Sequence, residues 1–122
     1  MNEEKYLKLI SNLISKEITP TEFKERTDNQ SQYLWGLIEA VLAKSISVRE
    51  FNELYYPFAL DIISNLIDET EEGFFEMVRQ KLEWTSESPD EESRRYGWIS
   101  DEEFIEWLNK EKVSYKNSQK IG

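Results

Sequence analysis

This 122-residue chain predicts an all-α fold, a small antiparallel helical bundle of five to six helices, and three observations carry that expectation. Apolar residues recur at helical spacing through most of its length. One helix-start pattern is written three times. No stretch alternates with a period of two, and no Asn-Gly or Asp-Gly pair marks a hairpin. Apolar residues make up 39% of the chain and 16 residues are aromatic, enough material for one core in a chain of one-domain length. The expected domain is 1–112, followed by a polar, flexible tail at 113–122.

The repeated pattern is an internal echo. Leu9-Ile10-x-x-Leu13-Ile14-x-Lys16-x-Ile18-Thr19-x-x-Glu22-Phe23 recurs 28 residues later as Leu37-Ile38-x-x-Val41-Leu42-x-Lys44-x-Ile46-Ser47-x-x-Glu50-Phe51. A shorter copy is Ile99-Ser100-x-x-Glu103-Phe104. In each, Ser or Thr caps a helix by accepting from the third amide, and the Glu three residues on returns a bond to the capping residue's own amide. The preceding Ile and the following Phe staple the first turn. Pro20 stands at the first helical position, where its missing N–H costs nothing. Helices are therefore expected to begin near residues 20, 48 and 101, and shared helix-start grammar accounts for the recurrence.

The remaining elements follow in order. Tyr6, Leu9, Ile10, Leu13 and Ile14 form one face of a first helix, about 3–16. A short helix follows Thr19 and loosens around Asp28-Asn29-Gln30. Leu34, Trp35, Leu37, Ile38, Val41 and Leu42 stripe a helix at about 31–44. Phe51, Leu54, Tyr55, Phe58, Ile62 and Leu66 continue the pattern after Ser47, with a kink or short break expected at Pro57. Phe74, Phe75, Val78 and Leu82 carry a helix to about Trp84. Residues 85–98 are expected to be a loop, and a last helix carries Phe104, Trp107 and Leu108.

Charge is unevenly placed. The chain holds 15 Lys+Arg against 25 Asp+Glu, a net of −10. Residues 1–60 have 9 acids and 7 bases (−2), whereas residues 61–109 have 15 acids and 4 bases (−11). That balance argues against a general nucleic-acid binder, whose phosphate contacts need a basic surface. There is no Cys and no His, which removes disulfides, Cys/His zinc sites, and thiol or imidazole catalysis. Four glycines leave no phosphate-cradling loop, and no Gly-x-Ser-x-Gly elbow or EF-hand run is present. No catalytic residue, metal site or cofactor is expected; a carboxylate-based hydrolase is the distant alternative. No apolar run reaches 18 residues, and Met1-Asn2-Glu3-Glu4 does not open like a signal peptide, so a cytoplasmic protein with no membrane contact is expected.

Two acidic clusters interleave with aromatics and form the candidate interaction surface: Asp68, Glu69, Glu71 and Glu72, then Asp90, Glu91, Glu92, Tyr96, Trp98, Asp101, Glu102 and Glu106. Aromatics anchor interfaces, and complementary charge speeds association with a basic partner.

The segment Leu9-Ile10-x-x-Leu13-Ile14-x-Lys16-x-Ile18-Thr19-x-x-Glu22-Phe23 resembles the opening of the colicin D-like immunity proteins, including those of contact-dependent growth inhibition systems. The resemblance covers about residues 3–84, and the segment from about 85 onward has no counterpart in the smaller members. It implies a helical bundle that binds a cognate toxin, the C-terminal nuclease domain of a larger secreted protein, often one that cuts tRNA. Such a nuclease presents a basic cleft, which an acidic helical surface can cover. No toxin-binding residue is carried over by motif. The rival expectation is a regulatory or adaptor helical module with no toxin involved.

Overall fold

A computed structural model describes residues 3–62 and 69–121. These form seven helices and one two-stranded sheet: α1 Glu3–Ile14, α2 Pro20–Arg26, α3 Gln30–Leu42, α4 Val48–Ile62, α5 Glu69–Leu82, β1 Thr85–Ser86, α6 Glu91–Arg95, β2 Ile99–Ser100 and α7 Asp101–Ile121. The chain is mostly helical, as the periodicity predicts. Its contacts divide it into two compact units, Met1–Leu66 and Ile67–Gly122.

All three helix starts fall where the pattern puts them, at Pro20, Val48 and Asp101. Thr19 Oγ1 accepts from the Glu22 amide at 3.1 Å, and the Glu22 carboxylate accepts from the Thr19 amide at 3.1 Å. Ser100 and Glu103 exchange the same two bonds at 3.2 and 3.1 Å. Ser47 accepts from the Glu50 amide at 3.0 Å.

What precedes each cap is also shared. Lys16 (φ 67°), Lys44 (φ 62°) and Gly97 (φ 99°) lie in the left-handed region, each two residues before the Ile. Each closes the helix before it by the same pair of bonds. The Lys16 amide donates to Leu13 O and the Glu17 amide to Asn12 O; the Lys44 and Ser45 amides donate to Val41 and Ala40; the Gly97 and Trp98 amides donate to Arg94 and Ser93. The three echoes are thus helix-to-helix corners with a defined exit as well as a defined entry.

In the first unit α3 is the central element, packed against α1, α2 and α4. It buries Tyr33, Leu34, Leu37, Ile38, Ala40 and Val41. Phe23 of α2, fully buried, lies against Gly36: a Cβ there would stand 2.2 Å from Phe23 Cε1. Tyr33 meets Phe58 edge-on at 4.8 Å, and the Lys24 ammonium lies 4.7 Å from the Phe58 centroid. The Tyr6 hydroxyl donates to Gln32 O at 2.8 Å, and the Ser45 hydroxyl caps the end of α1 through Ile14 O at 2.7 Å. Pro57 lies inside α4, which is continuous from Val48 to Ile62, so the short break that the sequence allows there does not occur.

In the second unit α5 packs along α7. Among the described residues, Phe74, Phe75, Val78 and Leu82 of α5 are buried with Phe104 and Leu108 of α7. Phe74 and Tyr115 lie 5.0 Å apart, so α7 continues to Ile121 through the 113–122 segment, where the sequence predicts a tail. A second difference is at 85–98. There the expected loop contains β1 and the five-residue α6, and β1 pairs in parallel with β2, Thr85 with Ile99 and Ser86 with Ser100.

Two pairs of substitutions separate the forces at work. Gly36→Ala gains helix propensity but drives a methyl into the Phe23 ring, and is expected to lower stability by about 1–3 kcal/mol. Gly73→Ala, with open space around it on α5, should raise stability by about 0.5–1 kcal/mol. Lys16→Gly and Lys44→Gly relieve left-handed side-chain strain and should each add about 0.5–1 kcal/mol. Urea unfolding followed by circular dichroism measures all four.

Candidate functional site

The candidate residues that the structure brings together lie between the end of α5 and the first turns of α7. Asp90 caps α6, accepting from the Ser93 amide at 2.7 Å, and those bonds hold its carboxyl below the usual range. The sequence reading takes this stretch as part of a loop, although Pro89-Asp90 followed by Glu91-Glu92 is helix-entry chemistry. Tyr96 ends the helix and Gly97 turns the chain. The Ile99 amide then donates to Trp84 O at 2.9 Å, closing the segment onto the end of α5.

Glu103 fastens this segment to α7. Its carboxylate accepts from Arg94 Nη1 at 2.7 Å and from the Ser100 amide at 3.1 Å, so one group serves as both helix cap and ion pair. The Arg94 guanidinium, then the Ser100 bonds, hold Glu103 below the usual carboxylate range. Arg95 pairs with Glu91 at 3.7 Å, both side chains exposed, a weak interaction. Both arginines of α6 are therefore turned toward this protein's own acids.

Asp90, Glu91, Glu92, Arg95 and Tyr96 line one open hollow of about 600 Å³. Tyr96 is 71% exposed. Glu102 and Glu106, one turn apart on α7, are also exposed, and neither they nor Glu92 pair with a cation among the described residues. Trp98 is half-buried, its ring meeting Trp84 edge-on at 5.7 Å, and Trp84 is 46% exposed. Asp101 is half-buried; burial, then the neighbouring Glu87, raises its carboxyl above the usual range. Trp84, Glu87 and Arg94 are the members of this neighbourhood that sequence reasoning omitted, and Glu103 it read only as a helix cap. The omission follows from expecting a loop at 85–98, which conceals the strand pair joining Trp84 to Ile99.

Asp68 lies outside the described residues, as do the side chains of Glu69 and Glu72. Glu71 is half-buried on α5. Among the described residues no group of three or more acids is placed to hold a metal ion, and none of the helices is long and apolar enough to cross a membrane. In the first unit a hollow of about 380 Å³ lies between the two corners, lined by Lys16, Ile18, Ser45, Ile46 and Glu50 among others; the sequence carried no signal for it beyond the echo. Compared with known protein families, characterised proteins and solved structures, the chain matches none.

The double role of Glu103 has a measurable consequence. Glu103→Ala is expected to speed amide exchange across 91–100 while leaving α3 unchanged, as read by NMR or mass spectrometry. Because its carboxyl is depressed in the folded protein, the Glu103 contribution is present above the ordinary glutamate range. It is lost as pH falls through the lower folded value.

Proposed function

We propose that the protein is an immunity protein that binds and neutralises a cognate bacterial toxin, a nuclease acting on RNA, by covering its basic active-site cleft. The observation that carries this is the makeup of the α6 hollow: an exposed Tyr96 among three carboxylates and one arginine, Arg95, with the neighbouring Arg94 paired to Glu103. Such a surface repels phosphate and attracts cations. A nuclease cleft must be cationic to hold its substrate, so the same charge that excludes nucleic acid selects the enzyme that cuts it. The nuclease identity rests on the sequence resemblance over 3–84. Inhibition by coverage needs no catalytic residue of this chain, and it would act in the cytoplasm, where the toxin's substrate is.

On this proposal Asp90, Glu91, Glu92, Glu102 and Glu106 steer and rim the contact, Tyr96 is the anchor, and Trp98 stiffens its base through Trp84. Rim carboxylates act chiefly on the association rate, and a central aromatic acts on dissociation. The adaptor reading is favoured by a different feature, the exposed apolar side chains Leu7 and Leu60 of the first unit. Docking through those would be insensitive to salt.

The test is capture at low salt from the native strain, with bound chains identified by mass spectrometry. The expected partner is the C-terminal part of a large secreted protein, toxic when expressed alone and harmless when co-expressed with this chain. Raising ionic strength from about 0.05 to 0.5 M should weaken that complex at least about tenfold. The Glu91→Lys, Glu92→Lys, Glu102→Lys triple variant should slow association by about tenfold or more and abolish protection. A salt-insensitive complex with a non-toxic partner would favour the adaptor instead.

A further inference from the structure

We propose that Trp84, braced by Trp98, anchors an arginine side chain of a cationic partner, which stacks on the indole while neighbouring carboxylates receive the edge of its guanidinium. This rests on the reading of the α6 region as a contact surface for a basic partner, and it names the side chain that surface selects.

Trp84 is the one exposed tryptophan among the described residues, with 46% of its surface in solvent. It is also fixed in place. Its amide donates to Lys81 O at 3.1 Å, its carbonyl accepts from the Ile99 amide at 2.9 Å, and the Trp98 ring meets it edge-on at 5.7 Å. Aromatic area whose backbone is bonded on both sides loses little freedom when a partner covers it, which is the property of an anchor. An edge-on neighbour covers at most one face of the indole. Among the described residues no cation of this chain lies over the ring; Lys81, three residues before it, lies over Trp107 instead, at 5.5 Å.

Charge complementarity chooses the occupant. From Glu83 to Glu103 eight acids stand against two bases. Of those bases, Arg94 pairs with Glu103 at 2.7 Å and Arg95, more weakly, with Glu91 at 3.7 Å. Glu87 is exposed directly after β1, three residues from Trp84, and the exposed Tyr96 stands two residues before Trp98. An apolar partner side chain would cover the indole but leave these carboxylates unanswered. A lysine ammonium would answer the charge, but it is compact and strongly hydrated and gains less from the ring. A guanidinium is planar and weakly hydrated, stacks on an aromatic face, and presents N–H donors in its own plane to carboxylates. Of the two cationic side chains it is the one that uses both features.

The test uses the intact protein and two blocked peptides of equal charge, nona-arginine and nona-lysine. Each is titrated at about 0.02 M ionic strength, where attraction between charges is weakly screened. Charge alone gives the two peptides equal affinity. Stacking should make nona-arginine bind about three- to fivefold more tightly and move the Trp84 indole N–H resonance well beyond its movement with nona-lysine. Trp84→Leu keeps an apolar body without the ring; the preference should vanish there, with nona-lysine affinity held within about twofold. The Ile99 amide resonance checks that the strand pair is intact, and Trp84→Phe, which keeps a weaker ring, should keep part of the preference. Equal affinities in the unaltered protein, or a preference that survives in Trp84→Leu, would overturn the arginine anchor while leaving the acidic contact surface standing. Failure of both peptides to bind would overturn that surface, and the anchor with it.

Discussion

Three corners of one construction decide where this protein's helices stop and start, and both of its cores are arranged around them. Each corner closes a helix with a left-handed residue, advances two residues to an Ile, and opens the next helix on a hydroxyl cap. Four backbone groups at each helix end lack intrahelical partners, and a corner that satisfies several at once is cheaper to form than an unstructured link of equal length. The spacing from the left-handed residue to the cap is three in every case, at Lys16, Lys44 and Gly97. Ile18 and Phe23, Ile46 and Phe51, and Phe104 are buried, while Ile99 of the third corner is half-buried, so in the first two corners the local chemistry and the burial point the same way.

That agreement explains why the first unit tolerates so little space. With α2 starting at Pro20, Phe23 is carried onto the face of α3, and only a glycine at position 36 admits the ring. Tyr6 on one side and Tyr33 on the other then enclose Phe23, both with centroids 6.4 Å away. Ser45, in the second corner, hydrogen-bonds the exposed end of α1, so one corner completes the helix that leads into the other. The echo in the sequence is realised as mutual support.

The second unit uses the same corner under a different electrostatic load. Its cap glutamate, Glu103, also holds Arg94, which binds the short α6 to α7 without a hydrophobic core of its own. Around the exposed Tyr96 carboxylates outnumber cations, Asp90, Glu91 and Glu92 against Arg95. Self-repulsion among surface carboxylates destabilises the folded unit modestly. The first unit, nearly neutral over residues 1–60, carries no such load.

Helix periodicity, the capping grammar and the charge break were legible in the residues alone, because each is a local property: i to i+4 spacing, a three-residue cap, a count of acids. The three starts at Pro20, Val48 and Asp101 followed from them, as did the cluster of carboxylates around Tyr96. The left-handed conformations of Lys16 and Lys44 were not legible, since lysine carries no preference for that region and adopts it only because the helices on either side leave no other route. The pairing of β1 with β2 was hidden for a related reason. Two residues have no periodicity to read, and they pair only because the end of α5 and the start of α7 are held side by side. The two compact units and the helical course of α7 to Ile121 likewise depend on contacts between residues far apart in the chain. Composition determined what this protein's surface can attract; packing decided which of its charges are left facing outward.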